Sequence, residues 1–134
     1  MFKSDDTGKL ILRLVLGILI LLHGLAKLRT GVSGIAGMLG SHGLPGFLAY
    51  FAYVGEVLAP LLVIIGICAR LGGLLIAINM VVAIFLAHMG QLGSLNSSGG
   101  WQLELQGMFL FGALAVFFLG AGRFSLAGSG GRWN

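Results

Sequence analysis

The chain has 134 residues, of which 57% are hydrophobic and only 9% charged, with a net charge of +4 and a mean hydropathy of +1.03. That is too little charge to cover the surface of a soluble domain of this size. The basic residues are spread around segment ends rather than gathered on one strip, which argues against nucleic-acid binding, and the single cysteine, Cys68, excludes an internal disulfide or a dithiol relay.

The apolar residues fall into four runs, each long enough to read as a membrane-spanning helix, since about 20 residues cross the ~30 Å hydrocarbon core. The expected architecture is an all-α membrane protein, a bundle of four transmembrane helices forming one domain over residues 1–134. Period-2 alternation is missing, and open sheets do not sit in lipid. The first run, Leu10–Leu28, is interrupted by Arg13, His23 and Lys27. Asp5 and Asp6 ahead of it, and the polar "HGLAKLRTG" behind it, disfavour a cleaved signal peptide. The loop from Arg29 to Gly46 carries Val32, Ile35, Ala36 and Leu39 at helical spacing. A short interfacial helix that could lid a site fits this pattern, and so does an inert connector. "GLPG" at Gly43–Gly46 then reads as a turn launching the second run.

The second run, Phe47–Ala69, holds Glu56 as its one charge, with Pro60 four residues on. Pro60 frees the Glu56 carbonyl and predicts a kink there. A turn at Arg70 leads directly into the third run, Leu71–His88, which carries Asn79. A polar loop containing "GSLNSSGG" follows. Trp101 stands where an interfacial anchor belongs, and the fourth run, Leu103–Ala121, has Glu104 near its start. The tail "RFSLAGSGGRWN" is short and basic, and no internal repeat is evident.

Lys3, Lys9, Arg13, Arg70, Arg123 and Arg132 lie on one side of this topology, and Lys27 and Arg29 on the other. Six against two places both termini in the cytoplasm. With that orientation, Glu56 and Asn79 each lie nine residues from the outer end of their runs, roughly 13–14 Å deep. His23 lies roughly 7–8 Å deep, and Glu104 about 4–5 Å inside Trp101. Lys27 is one turn above His23 on the same face. The polar residues His23, Lys27, Glu56, His88 and Glu104 thus all fall in the outer half, and every run contributes. Asn79 and His88, nine residues apart, point about 180° apart on an ideal helix.

An ionised carboxylate alone at a helix centre costs about 2.5–3.5 kcal/mol on insertion scales. Glu56 is therefore expected to be neutral or paired with a cation from the first run, Lys27 and His23 being the candidates at suitable depth. A purely structural interhelical bond is the alternative. His23 and His88 suit proton transfer or a hydrogen bond to a ligand carbonyl. With no HxxxH or ExxH spacing, no metal or haem motif is recognised. Glu104 also fits as an ordinary first-turn acid, and Arg13, Arg70 and Arg123 as boundary anchors that snorkel. The aromatics, Tyr53 among them, could line an apolar pocket or simply pack.

The succession "R…HGLAKL", "GLP…GEVLAPLLVIIGICARLGGLLIAINMVVAIFLAHM", "W-x-L-E-L" and "LGAGRFSLAG" resembles the DoxX family from about Lys9 to Ala127. The Gly55–Glu56 pair, G-x-x-x-R at Gly66–Arg70, the histidine closing the third run and G-x-G-R-[FY]-S-[LI] carry the likeness together. The family's usual aspartate after "SL" is Ala127 here. The resemblance implies a multi-pass protein of the bacterial inner (plasma) membrane acting as a subunit of a membrane oxidoreductase. A related protein, DoxD, belongs to a thiosulfate:quinone oxidoreductase, and other members are tied to thiol or superoxide defence complexes. It supplies no residue-level mechanism.

The expected function is a quinone-linked redox subunit. Quinone would enter laterally between helices, Glu56, His23, His88 and Glu104 would do the acid–base work, and Lys27, Asn79, Trp101 and Tyr53 would line the binding site. Electrons would come from a redox partner protein or an external donor, because no flavin, haem or cluster motif is present, and the chain would sit in the bilayer as a homo-oligomer or in a hetero-complex with that partner. A small proton-coupled carrier switched by Glu56, and a non-enzymatic scaffold of a redox complex, are the alternatives.

Overall fold

The computed structural model describes residues 4–31, 33–88, 93–95, 97–128 and 132–134. Helix α1 runs Asp5–Thr30. The side chain of Ser4 caps it by accepting the Thr7 N–H at 3.3 Å. Asp5 and Asp6 occupy the first turn and Lys27 and Arg29 the last, the charge order that the helix dipole favours. At 26 residues it is ~39 Å long. After Gly31 comes α2, Ser33–Ser41, the short helix that the spacing of the first loop suggests.

The second spanning helix, α3, is Gly46–Ile65. It opens as a 3₁₀ turn over Gly46–Tyr50 and passes through a π-helical turn at Val54–Leu58 before closing as α-helix over Ala59–Ile65. It stops at Gly66, whose φ of +83° is left-handed and whose neighbour Ile67 N–H returns to the Leu62 carbonyl at 3.2 Å. Cys68 follows with φ +51°. The hairpin turn therefore lies at Gly66–Cys68 rather than at Arg70, and Arg70 stands in the first turn of the next helix. That helix, α4, is Ala69–Ala83 and continues into a second π-turn, Ile84–His88.

The last helix, α5, is Glu104–Leu119. Its 16 residues reach only ~24 Å, shorter than the 103–121 run that the apolar pattern marks out. Gly120, at φ +81°, terminates it, and the Ala121 N–H turns aside to the Asn134 carbonyl at 2.6 Å. Among the described residues, three helices are long and apolar enough to cross a membrane, and α5 is a shorter apolar companion. No strand occurs among the described residues, whose only bridge is Leu95 with Trp101. The chain thus has the make-up of a helical membrane protein.

α4 packs on α5 and α3, and α3 packs on α1. Small residues set these spacings. A Cβ at Gly73 would stand 2.7 Å from the Ala113 carbonyl oxygen of α5, and one at Gly72 would stand 2.9 Å from the Ala59 oxygen of α3. Leu16, Ile20, Val63, Ile76, Ala113 and Val116 fill the centre.

At the end of the bundle where Ser4 and the tail meet, Arg13 is only 1% exposed. Its guanidinium donates to four carbonyls: Val63 at 2.9 Å, Ile64 at 3.1 Å, Ala121 at 2.8 Å and Phe124 at 2.9 Å. It does not snorkel to the boundary. The last carbonyls of α3 and the turn after α5 are unpaired within their own helices, and the guanidinium satisfies them where water cannot reach. Arg70 also turns inward, donating to Phe117 and Phe118 at the end of α5, both at 3.1 Å. Arg123 does stay exposed, 3.6 Å from Asp6 and over the Phe124 ring. The tail lies across the hairpin, with the Leu126 N–H on the Ile65 carbonyl at 3.1 Å. Asn134 Oδ1 accepts the Ala69 N–H at 3.0 Å, capping α4 from a distance.

Candidate functional site

The site begins with Pro60. Lacking an N–H, it cannot bond the carbonyl of Glu56. The helix absorbs this as the π-turn Val54–Leu58, in which the Ala59 N–H reaches back to the Val54 carbonyl. A local widening thus takes the place of the kink the proline suggests. The extra residue in the turn alters the phase of α3, so Glu56 faces α1 while Gly55 faces α4.

Two glycines make these approaches possible. A Cβ at Gly24 of α1 would lie 2.0 Å from the Glu56 carbonyl oxygen, so only glycine lets α1 lie against the freed carbonyl. A Cβ at Gly55 would lie 2.5 Å from Cβ of Asn79, so α3 and α4 meet there around the asparagine side chain.

Glu56 is buried and forms an ion pair with the ammonium of Lys27, the side chains being 6% and 30% exposed. Of the two states expected of Glu56, neutral or paired with a first-run cation, the structure shows the pair. The Tyr53 hydroxyl donates to the Lys27 carbonyl at 3.2 Å, tying the last turn of α1 to α3 a second time.

Beside this pair lies a cavity of about 610 Å³, within the ~300–1,000 Å³ range of small-molecule sites. Helix α2 roofs it with Ile35, Met38 and Leu39, α3 contributes Leu48, Ala52 and Gly55, and α4 contributes Leu75, Asn79 and Val82. Among the described residues, Lys27 and Asn79 are the polar side chains in a lining that is otherwise apolar. The Asn79 amide, half-buried, makes no hydrogen bond with a described residue. The cavity therefore offers hydrogen-bond donors from two helices to a ligand held among apolar walls. Its net charge is balanced, because the Lys27 ammonium already faces a carboxylate. That favours a neutral, acceptor-bearing head over an anion.

The remaining expected site residues are placed elsewhere. His23 is exposed, and its ring meets Phe109 of α5 edge-on, with centroids 5.6 Å apart. Glu104 is exposed at the start of α5, with its carboxylate beside Gly100. Trp101 lies over Gly107. Tyr53 faces a second hollow with Thr30, Ser33 and Tyr50. None of these four lines the cavity. The backbone of His88 closes the second π-turn, and its side chain lies outside the described residues, as does Val32. Among the described residues no group of three or more His, Cys, Asp or Glu is placed to hold a metal ion.

Sequence reasoning missed Gly24 and Gly55 as site-forming positions. A signal existed for the first. Gly17 and Gly24 are seven apart in α1, two turns along one face, and a Cβ at Gly17 would also crowd a carbonyl of α3, that of Pro60, at 3.1 Å.

No curated protein and no solved structure matches this chain. The DoxX family profile matches residues 8–89, which takes in α1 to α4 apart from the first turn of α1 and leaves α5 and the tail outside the match. The Gly55–Glu56 pair, Lys27, Asn79 and every residue of the cavity lining fall within the matched region, and on that match over more than half its length the chain belongs to the DoxX family.

Proposed function

We propose that this protein is the membrane subunit of a quinone-linked oxidoreductase, lying in the bacterial inner membrane with both termini in the cytoplasm and its cavity toward the outer face. DoxX membership supports an oxidoreductase-associated membrane protein. The observation that carries the finer reading is the cavity itself: apolar walls, two donor side chains on its lining and a buried carboxylate paired to one of them. A quinone ring presents flat apolar faces and carbonyl acceptors, the complement of that lining. Lys27 and Asn79 would hold the carbonyls.

Reduction of a quinone takes two electrons and two protons. The electrons come from a redox partner protein or an external reductant. Lys27 lines the cavity and meets the Glu56 carboxylate, so its ammonium donates a proton toward a ligand oxygen, and the carboxylate takes up a proton from solvent and passes it to the lysine amine. A second such cycle delivers the second proton, the relay general acid–base catalysis needs. Deleting one member of such a pair costs about 10²–10⁴ in rate where proton transfer limits.

The test is quinone binding and quinol formation by membranes carrying the protein and its reductant, measured above the uncatalysed background. Glu56→Gln is expected to slow quinol formation by at least ~10² with binding nearly kept. Lys27→Met is expected to weaken binding as well. If both variants leave rate and affinity as they were, the proposal is wrong.

A further inference from the structure

The cavity is partly open, and the exposed part of its described lining identifies where a ligand comes from. Leu39 of α2 and Ala49 of α3 line it while only 4% and 1% exposed, so the roof and the inner wall are sealed by packing. Four other lining residues are far more exposed than an enclosed wall leaves a side chain: Phe51 at 62%, Ile78 at 51%, Val82 at 46% and Leu44 at 43%. Phe51 belongs to α3. Ile78 and Val82 form an i, i+4 stripe on α4, and Leu44 lies between α2 and α3. Together they outline a slot between α3 and α4, beneath α2. All four are apolar, and both flanking helices are among those long enough to span a bilayer. The slot therefore opens to lipid, whereas the donors Lys27 and Asn79 belong to the lining it leads to.

We infer that the slot between α3 and α4 is a lateral portal and that the cavity takes a membrane-resident amphiphile: a neutral carbonyl head beside Lys27 and Asn79, with an alkyl or isoprenoid tail leaving past Ile78, Val82 and Phe51 into the bilayer. The inference rests on the quinone reading for its head and on the slot alone for its tail. Polar and charged ligands are disfavoured twice, by the apolar slot and by the charge already neutralised at Lys27. The tail contributes affinity through the apolar surface it covers, and its exit fixes which end of the ligand meets the donors.

The experiment uses the full chain purified in detergent at fixed concentration, with three probes: a decyl-tailed benzoquinone, the same ring without a tail, and decanol as a redox-inert tail. Binding is followed by competition and by quenching of tryptophan fluorescence. Ile78→Trp, which fills the slot, is expected to weaken the tailed quinone by at least ~10-fold, equivalent to ~1.4 kcal/mol, and to leave the tailless ring within about two-fold. Phe51→Ala, at an exposed position that does not threaten folding, is expected to weaken only the tailed probe, by about three-fold, and decanol should compete with the tailed probe alone. Equal weakening of tailed and tailless rings, or no weakening of either, overturns the portal. Slot-dependent binding of decanol, with no dependence of either quinone on Lys27 or Asn79, supports the portal and overturns the quinone reading instead.

Discussion

Helix α1 carries two cations into the bundle, and the protein treats them in opposite ways. Arg13 and Lys27 are fourteen residues apart, about four turns, so both face α3. Arg13 meets four backbone carbonyls from two segments and no carboxylate. Lys27 meets one carboxylate, Glu56, and a cavity. A carbonyl cannot take up a proton, and a guanidinium does not release one in proteins, so the Arg13 end is fixed chemistry and acts as a clamp. An ammonium–carboxylate pair can exchange a proton and can be broken by a ligand that competes for either member. On the proposed function, the difference gives rigidity to the tail end of the bundle and chemistry to the loop end.

The most damaging way to break this contrast is to remove the clamp. Arg13→Met leaves the buried Val63 and Ala121 carbonyls and the part-buried Ile64 and Phe124 carbonyls without their donor, at ~1–3 kcal/mol for each that water cannot reach. A net loss of about 3–5 kcal/mol is expected, seen as a large fall in the thermal midpoint in detergent. Arg13→Lys should recover only part of it, because three donors on a point charge cannot reproduce the planar fork. Next in size is Gly24→Val at the other end. Its side chain meets the Glu56 carbonyl and must push α1 away from the π-turn, at ~1–3 kcal/mol for overpacking. Here the thermal midpoint should fall less than in Arg13→Met, while quinone binding should fall more, because the shift separates Lys27 from Glu56. A reversal of those two ranks would show that the ends are not specialised as described.

Much of this plan is legible in the chain, and the illegible parts share a cause. The apolar runs mark the helices, the spacing of Ile35, Ala36 and Leu39 suggests α2, and the cost of a lone carboxylate calls for either a neutral Glu56 or a partner. Simple depth arithmetic puts Lys27 near the rim, yet α1 extends to Thr30, which sets Lys27 further in, and its four-carbon stem covers the remaining distance. What the chain conceals is backbone geometry. The partners of Arg13 are carbonyls, which every residue has, so side-chain identities do not announce them. Pro60 signals that a hydrogen bond must be lost, but whether the helix kinks or widens depends on what packs against the freed carbonyl, and that is Gly24 from a different helix. The end of α5 is set by Gly120 together with the tail that folds back on it, while the apolar pattern simply runs on.

A smaller effect sharpens the functional end. Replacing one member of the Lys27–Glu56 pair leaves the other without its partner. Glu56→Leu is expected to cost about 2 kcal/mol, less than the ~3–5 kcal/mol of a fully buried pair, because the Lys27 side chain keeps some exposure. Replacing both, in Lys27→Met with Glu56→Leu, removes the charges together. The double variant should melt within ~1 kcal/mol of the parent while losing quinone reduction. A stable, inactive double variant separates a pair kept for chemistry from one kept for folding. If the double variant is as unstable as the single one, the pair belongs with Arg13 as a structural clamp.

The smallest expected effect falls on His23, and it tests how far the chemistry extends along α1. His23 and Lys27 are four residues apart, so sequence alone places them on one face and invites a shared role. The structure separates them: Lys27 turns to Glu56, whereas the His23 ring lies exposed with its edge contact on Phe109 of α5. Such a contact is worth at most ~0.5–1.5 kcal/mol, and at an exposed position His23→Ala should fall at the lower end of that range. Quinol formation should stay within about two-fold of the parent. A ten-fold loss at unchanged thermal midpoint would mean that protons reach Lys27 along the α1–α5 side. The working site would then be wider than the Lys27–Glu56 pair, and α5, despite its short span, would be part of it.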